Sequence, residues 1–597
     1  MGVAMKPNRP LLRCLSVLSI FLLPGIIRAE VTISEFVASP ANGAHEDEDC
    51  ETVDWLELHN LDATAIDVGG YYLSDNLAEP TQWAIPASTE IEAGGYLLIF
   101  ASGKDRAVAG APLHANFQFN ANGDDLVLVK PDGATVVESY TWTNDAPLPE
   151  GTLRAQRSGV AYGLLPGKDQ RAFLSKPTPG TANNASQVEF EKVTFSEESR
   201  TFTASFMLEI TAPVEGAQIR FSNNDKKPDL FNGKDYVGPM AINETTTIRA
   251  RWQDPATGIN SVLSSRHFIK LSEDAIAEDR KAGASTLPAF ETNLPVIVVE
   301  TFGTASDNVI DFVPVAMNLH EPVDGITRLT DTPTVSTRAV YRLRGKSSFQ
   351  FPKKQYRLEL RNQSEEDKKV SLLGLAADSD WILNAPWVDK SFIRNSLVYE
   401  LGRDIGILAP GTRLVEVFAN EDGGALNFEE DYRGVYVLTE TVKRGADRID
   451  IERLAPCHET EPEISGGYVV RFDKVDGPTL PGFNNLQATI PDHDEITEPQ
   501  QTWISDYIRD FQSRTRGADT ADPVLGFRAV ADEQSMVNIM LINEFTKEQD
   551  TYIFSHYLHK DRDGLLTFGP LWDYNLCFGA GISTTGTENW LTMTFSG

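Results

Sequence analysis

Cysteine is scarce in this chain, which has only four in 597 residues. Cys14 falls in the N-terminal stretch, and the remaining three are too few and too widely spaced for a disulfide scaffold. None has metal-ligand spacing, so a zinc site built on cysteine is excluded. An odd number leaves at least one thiol unpaired within the chain. A bridge between Cys457 and Cys577 is conceivable from sequence.

Basic residues are also under-represented. Lys and Arg number 53 against 86 Asp and Glu, which gives a formal net charge of -33. Such a surface repels phosphate backbones, and no Lys/Arg-rich run interrupts the trend. The composition therefore excludes nucleic acid as a partner and is typical of a soluble, folded protein.

Long apolar runs are missing apart from one near the N-terminus, at residues 15–27. Basic residues precede it, and Pro24 interrupts it. This arrangement predicts a signal peptide over residues 1–29, with cleavage after Ala29, although a retained anchor is the alternative. We expect no transmembrane segment in the mature chain, and a secreted or cell-envelope-associated location.

Turn-rich strand patterns fill the N-terminal half. Short alternating runs separated by Gly and Asn predict a β-sandwich over residues 30–150. A Pro/Gly/Thr cluster predicts a linker over 151–187, and further strand patterns predict a small β-sandwich over 188–270. The acidic stretch 46–49 is either a solvated turn or a Ca²⁺ site. Helical periodicity first appears within residues 288–597, which therefore form a different class of domain.

Two aspartates near the C-terminal end of the sequence carry the best chemical signal. A helix pattern over 533–547 runs into Asp550, and two strand-like runs joined by a turn at 561–564 then lead to Asp573. Folding that hairpin brings the two carboxylates together at its open end. Such a pair suits divalent-metal binding and proton acceptance, as phosphoryl transfer requires, although either residue alone is typical of a turn cap. From the residues alone, several metal-assisted reactions remain open.

Resemblances to known families narrow the possible domain types and reactions. Residues 33–128 resemble the lamin tail domain, an immunoglobulin-like sandwich that serves as an interaction module, and residues 188–270 resemble the small sandwich appended to chitobiase-type enzymes. A set of motifs between residues 295 and 579 resembles the CotH kinase-like family, whose founding members phosphorylate serines of spore-coat proteins. Those motifs are Arg344 to Ser348, Pro352 to Arg357, Leu373 to Leu375, Asp378 to Trp381, Ala385 to Asn395, Gly434 to Glu440, Asn543 to Phe545 and Gly569 to Asp573.

The resemblance implies a multi-domain chain in which two N-terminal all-β sandwiches, the first immunoglobulin-like, precede an α+β atypical protein-kinase-like domain. On the family pattern Asp550 matches the catalytic aspartate and Asp573 the metal-binding one. Asn575, two residues further on, is a plausible second metal neighbour.

Nucleotide-binding residues are expected in two places. The turn that contains Gly345, Ser347 and Ser348 can cover phosphates or be a plain hairpin turn. Lys354 and Arg357, on the next strand-like run, can neutralise phosphate charge or simply face solvent.

Two departures from the family pattern bear on activity. Arg471 stands where the family often has a phosphate-contacting lysine, with Lys474 three residues later. Glu440 can anchor a cation or merely cap a strand. The sequence also stops soon after the metal motif, whereas the family usually continues, so we expect either a fragment or a shortened domain.

Two functions follow from these expectations. The first is an exported kinase that transfers the γ-phosphoryl group of ATP, with Mg²⁺ or Mn²⁺, to Ser or Thr of an exported protein acceptor. The alternative is a non-catalytic surface or matrix interaction protein, with a degenerate kinase-like scaffold and sandwich domains that bind protein or polysaccharide.

Overall fold

The computed structural model describes residues 30–41, 44–143, 151–168, 170–189, 191–229, 232–256, 259–273, 275, 290–304, 306, 309–346, 348–548 and 550–579. The chain divides into two compact units, Met1–Ser186 and Gln187–Gly597, and each is described by itself. The predicted signal peptide, residues 1–29, lies outside the described residues.

The first unit contains two main sheets around one core. One sheet has the strand order β13-β12-β1-β2-β7-β8, the other has the order β11-β10-β9-β4-β5, and β3 pairs with β6. Alternating residues such as Ile33, Leu56 and Leu128 meet in the core between them. The strands are β1 (Val31–Val37), β2 (Asp54–Asn60), β3 (Ile66–Asp67), β4 (Tyr72–Ser74), β5 (Trp83–Ala84), β6 (Glu90–Ile91), β7 (Tyr96–Ala101), β8 (Leu113–His114), β9 (Gly123–Val129), β10 (Val136–Thr143), β11 (Leu153–Arg154), β12 (Ala161–Leu164) and β13 (Arg171–Leu174).

The stretch 151–187, predicted as a linker, contributes β11, β12 and β13 to these sheets. Its Pro/Thr/Gly cluster is fixed by two buried carboxylates, because the backbone N–H of Thr178 donates to Glu35 at 2.6 Å and that of Gly180 donates to Glu57. Glu35 and Glu57 are register partners on β1 and β2 and are fully buried. Buried carboxylates require such donors, so the segment is part of the sandwich.

The second unit begins with a small β-rich module. A seven-stranded sheet and two two-stranded sheets enclose a core that includes Phe268, Ile248 and Trp252. The strands are β14 (Val188–Glu189), β15 (Thr194–Phe195), β16 (Arg200–Phe202), β17 (Phe206–Leu208), β18 (Ile210–Thr211), β19 (Gln218–Ser222), β20 (Lys234–Asp235), β21 (Met240–Ile242), β22 (Thr246–Gln253), β23 (Asn260–Ser261) and β24 (Ser264–Lys270).

A closed seven-stranded barrel follows, with the strand order β25-β26-β27-β28-β29-β31-β30. Its interior is filled by large side chains, including Tyr341, Tyr356, Trp381 and Tyr436. The strands are β25 (Val296–Glu300), β26 (Val313–His320), β27 (Val335–Arg344), β28 (Gln355–Arg361), β29 (Asp380–Asn384), β30 (Thr412–Asn420) and β31 (Tyr432–Glu440).

The small module is docked on the barrel. Arg249 of β22 pairs with Glu365 at 3.1 Å, and Arg338 of β27 bonds Asp225 and also pairs with Glu365, at 2.8 Å. Both arginine side chains are at most 5% exposed. The module therefore shares a buried polar interface with the barrel.

The last part of the described chain combines helices with a four-stranded sheet of order β33-β32-β34-β35. The strands are β32 (Tyr468–Phe472), β33 (Leu486–Ile490), β34 (His556–Lys560) and β35 (Thr567–Phe568). The helices of the second unit are α1 (Arg394–Asp404), α2 (Phe428–Asp431), α3 (Glu498–Arg516) and α4 (Glu533–Thr546), with 3₁₀ turns at Ser348–Gln350, Glu463–Ser465 and Phe527–Ala529.

Local sequence explains the ends of α4. Asp532 accepts a hydrogen bond from the backbone N–H of Ser535 at 2.7 Å, which is an N-cap, and Lys547 ends the helix with a left-handed φ of 56°. The predicted helix over 533–547 is thus confirmed nearly to the residue. The buried face of α4 holds Ile539, Ile542 and Asn543, whereas Met540 is exposed.

The chain as described is mostly β, with a β-rich N-terminal unit and a C-terminal region that holds few helices. Within the described residues, no helix is both long enough and apolar enough to span a bilayer.

Candidate active site

The two aspartates singled out in the sequence flank the hairpin formed by β34 and β35. The hairpin pairs Leu558 with Phe568 and His559 with Thr567, and its first strand begins at His556. Asp550 lies in the turn between α4 and β34, where its carbonyl accepts from the N–H groups of Ile553 and Phe554 at 2.8 and 2.7 Å. These bonds to its carbonyl fix the backbone of Asp550, so the turn does not use the side-chain carboxylate.

Asp573 follows β35 in a strained backbone conformation, with a φ of 59°. Its N–H donates to the hydroxyl of Tyr399 on α1 at 3.1 Å. The next residue, Tyr574, donates its hydroxyl to Asn543 of α4 at 2.6 Å. Two helices therefore hold Asp573 in place, and such rigid support is typical of a functional side chain.

The charges around Asp573 have both signs. Burial raises the pKa of this carboxyl to about 6, and the nearby carboxylates of Asp550 and Asp473 raise it further, whereas Arg344 and Lys474 oppose the rise. Asp550 and Asp573 thus belong to one electrostatic site, as the folded hairpin predicts. Asn575 donates its side-chain amide to Asp573 at 2.5 Å, so the two side chains are neighbours, and their role as metal ligands stays a prediction.

Arg344, at the end of barrel strand β27, is a site residue that the sequence reasoning did not assign. Its guanidinium carbon lies 5.5 Å from the ring centre of Trp572, and burial lowers the pKa of the group while Asp573 opposes that effect. A cation from the barrel thus faces the metal candidate from the C-terminal sheet. Its only sequence signal was its place in the Arg344–Ser348 motif.

Asp473 is the second residue that was missed. It follows β32 directly, two positions after Arg471, and that strand pairs with β34 of the hairpin. A strand-end carboxylate near a predicted phosphate-binding residue was the available signal, but the strand pairing could not be read from the sequence.

Arg471 lies at the edge of this site. It is the register partner of Tyr557 and hydrogen-bonds Asp476 at 2.6 Å. Tyr557 interacts electrostatically with Arg471, Asp473 and Arg344. Arg471 therefore belongs to the same polar network as Asp573, through Tyr557.

The turn after β27 contacts the loop that follows β32. Lys346 donates to the carbonyl of Lys474 at 2.7 Å, which joins the barrel to the loop that follows β32. Gly345 has a φ of 103°, and a Cβ there would lie 2.0 Å from the hydroxyl of Ser348, so the tight turn requires glycine. Ser347 lies outside the described residues.

Lys354 and Arg357 are not directed at the aspartates. Lys354 donates to the carbonyl of Phe349 at 2.6 Å. Arg357 pairs with Asp380 at 2.8 Å and with Glu359 at 2.9 Å. Both side chains thus have local partners, and their role at a phosphate stays a prediction.

The Asp378–Trp381 motif anchors the segment that leaves the barrel. Lys443 pairs with Asp378 at 2.8 Å, and Arg448 pairs with Glu440 at 2.5 Å. Glu440 also accepts from the N–H of Gly411 at 2.7 Å, so it both anchors a cation and caps a backbone group. A cavity of about 310 Å³ lies beside this segment, with Glu440, Lys443 and Pro570 in its lining, whereas Asp550 and Asp573 do not line it.

The donor set at the site suits a divalent cation that is completed by phosphate oxygens. Carboxylate and amide oxygens are the ligands that Mg²⁺ prefers, and this ion usually takes one or two carboxylates and fills its shell with phosphates and water. Within the described residues, the acidic clusters compact enough to hold an ion alone lie elsewhere, at 47–51 with His114 and at 492–494. Asp573 and Asp550 with the nearby Arg344 and Lys474 therefore fit a metal–nucleotide better than a protein-only metal site.

The acidic loop of the first unit is paired with two cations, and because it also holds carboxylates close enough for a metal ion, the Ca²⁺ alternative stays a prediction. Lys104 bonds Asp47 and Asp49, the latter at 2.6 Å, and Arg106 pairs with Glu48 at 2.8 Å. These two cations offset part of the charge of the five carboxylates within residues 46–51.

Cysteine pairing also differs from expectation. Cys577 is a free and buried thiol, and Cys457 is disulfide-bonded, so the conceivable bridge between them is wrong.

Comparison with known proteins agrees with two of the three resemblances seen in the sequence, and the likeness of residues 188–270 to the chitobiase-type sandwich stays a prediction. The family model described as CotH kinase protein matches residues 341–595, and that of the Lamin Tail Domain matches residues 28–144. No curated protein gives a significant match.

Proposed function

The chain carries a CotH kinase domain and a lamin tail domain, and from this premise we propose that it is an exported protein kinase that transfers the γ-phosphoryl group of ATP to Ser or Thr of extracytoplasmic proteins. The observation that carries the proposal is the placement of Asp550 and Asp573 in one electrostatic site, faced by Arg344 from the barrel. The proposed location outside the cytoplasm is supported by the signal-like sequence of residues 1–29.

Each residue has a distinct role in this proposal. Asp550 accepts a hydrogen bond from the acceptor hydroxyl and takes its proton as the phosphoryl group is transferred. Asp573 and Asn575 hold the metal ion, which neutralises phosphate charge when bound. Arg344 and Lys474 face the negative charge of the phosphates, and the turn at 345–348 covers them.

The proposed kinase requires Asp573 to be ionised. A carboxyl with a pKa of about 6 is mostly deprotonated at neutral pH, and a bound cation favours the ionised form further. The site is therefore suited to neutral or mildly alkaline surroundings.

The alternative of a non-catalytic interaction protein is favoured by one specific observation. Lys354 and Arg357, two of the expected phosphate ligands, are engaged in internal contacts. In that case the lamin tail domain, with protein or polysaccharide as its ligand, carries the function.

Nucleotide binding separates the two functions. We expect ATP with Mg²⁺ or Mn²⁺ to raise the melting temperature of the full chain, because a ligand at a hundredfold excess over its Kd adds about 2.7 kcal/mol of stability. Asp573→Asn should abolish the metal-dependent part of this shift. Asp494→Asn, at a side chain that is 85% exposed in a different loop, is the matched control and should retain it. If the protein is folded and its melting temperature does not change with ATP and metal, the kinase proposal is wrong and the non-catalytic interaction protein is favoured.

A further inference from the structure

The backbone of Asp573 adopts a conformation that needs outside support. Its φ of 59° lies in the left-handed region, which is uncommon for a residue with a Cβ and persists where the surrounding structure holds it. Asp573 also lies outside the helices and strands, five residues after the end of β35. The acceptor for its N–H therefore has to come from another part of the chain.

Tyr399 supplies this acceptor. Its hydroxyl, on α1, accepts the N–H of Asp573 at 3.1 Å, although the two residues are 174 positions apart in the sequence. Tyr399 is 2% exposed and belongs to an apolar cluster with Ile539 and Leu571. A phenylalanine ring would fill the same space in that cluster, so packing accounts for the ring of Tyr399 but not for its hydroxyl.

The same hydroxyl lies among the charged groups of the candidate site. It interacts electrostatically with the carboxylate of Asp573, the guanidinium of Arg344 and the hydroxyl of Tyr557. Arg344 belongs to barrel strand β27, and Tyr557 belongs to hairpin strand β34. The barrel, the hairpin and α1 thus each contribute a polar group around Asp573.

We propose that Tyr399 is a positioning residue for the metal ion: its hydroxyl holds the backbone of Asp573 in the left-handed conformation that keeps the carboxylate beside Asp550 and Arg344. Tyr399 itself touches neither metal nor nucleotide. Loss of a group that orients a metal ligand typically weakens metal binding by roughly 10–100-fold. The effect on the metal rests on the proposed kinase function, whereas the hold on the Asp573 backbone does not.

Tyr399→Phe in the full chain tests this role, because it removes only the hydroxyl oxygen. The dissociation constant for Mn²⁺–ATP, measured by electron paramagnetic resonance of Mn²⁺, should rise at least about tenfold. KM for Mn²⁺–ATP should rise in step, while kcat changes less than about threefold, since Asp550 is untouched.

Tyr468→Phe is the matched control. Tyr468 is also fully buried, and its hydroxyl donates to the carbonyl of Ile464 at 2.9 Å. This variant loses a buried hydroxyl outside the site, so it should bind Mn²⁺–ATP as the wild type does. Equal losses of affinity in both variants would overturn the inference, because any buried hydroxyl would then have the same effect.

Hydrogen exchange at the Asp573 amide provides a measurement that needs no nucleotide. Gas-phase fragmentation of the labelled peptide resolves this single amide, which should exchange at least about tenfold faster in Tyr399→Phe and at the wild-type rate in Tyr468→Phe. Unchanged exchange at Asp573, or wild-type affinity of Tyr399→Phe for Mn²⁺–ATP, would overturn the inference. If the wild-type protein itself binds no Mn²⁺–ATP, the proposed kinase function is wrong, and exchange at Asp573 then decides whether Tyr399 holds the backbone.

Discussion

Two pairs of carboxylates show how the same side chains serve different purposes in this molecule. In the first unit, Glu35 and Glu57 are fully buried on adjacent strands, and fixed donors meet them: Thr178 for the former, Ser34 and Gly180 for the latter. In the second unit, Asp550 and Asp573 stand at the two ends of a hairpin, among movable charges of both signs.

The difference lies in what remains available for a ligand. Backbone donors commit Glu35 and Glu57 to the fold, since removing those donors would leave buried acceptors unsatisfied. Asp573 has one side-chain amide as its hydrogen-bond partner and faces Arg344 and Lys474, which can turn to phosphate oxygens. Carboxylates held by backbone groups are structural, and carboxylates held among side-chain charges are suited to binding.

The largest effect is expected at Asp550. Asp550→Asn keeps the size of the side chain but removes the proton acceptor, so we expect kcat for phosphoryl transfer to fall roughly a thousandfold. The metal-dependent thermal shift with ATP should persist, because Asp573 is intact. The measurement is ADP release in the presence of a Ser/Thr peptide library, with Asp494→Asn as control. An unchanged kcat would mean that Asp550 is not the proton acceptor and serves the fold, as Glu35 and Glu57 do.

Sequence reasoning reached the aspartates because their signals are local. The helix pattern ends near Asp550, and the turn signal lies midway in sequence between Asp550 and Asp573. These two observations predict that the aspartates lie at one site. Arg344 was missed because its approach depends on how a barrel strand meets the hairpin. Asp473 was missed because β32 pairs with a strand more than 80 residues later.

The linker prediction failed for the same reason. Pro, Thr and Gly around residue 178 do favour a turn, but the carboxylate that holds the turn lies 143 residues earlier in the chain. No local pattern reports such a contact. The kinase-like α+β fold was expected only from the family resemblance, and it stays a prediction, because the C-terminal region is strand-rich and holds few helices.

Glu35, one of the two buried carboxylates of the first unit, should make the stability of that unit depend on pH. Burial raises the pKa of Glu35 to about 7, so the folded unit binds a proton more tightly than the unfolded chain between pH 4.5 and about 7. The stability of the first unit should therefore fall as pH rises through that window and level off above it. Glu35→Gln should remove this contribution, on the order of 3 kcal/mol.

Hydrogen exchange of first-unit peptides, corrected for the intrinsic pH dependence of exchange, would measure the effect. Asp54, whose pKa burial also raises to about 7, should preserve part of the pH dependence in the variant. Glu92→Gln, at an exposed position, should behave as the wild type. A variant as pH-sensitive as the wild type would show that Glu35 is not buried as a fixed partner of Thr178.

The smallest of the three effects is expected at Arg344. Arg344→Lys keeps the positive charge but loses the planar fork and the contact with Trp572, so we expect ATP to bind about tenfold more weakly. Arg342→Lys is the matched control: this residue lies two positions earlier on the same strand, and its guanidinium lies over Phe312 at 4.7 Å. Isothermal titration with ATP and Mg²⁺ would compare the two variants. Equal losses of ATP affinity in both variants would mean that the barrel arginines act through packing alone. The contrast between binding and structural charges would then depend on Asp550 and Asp573.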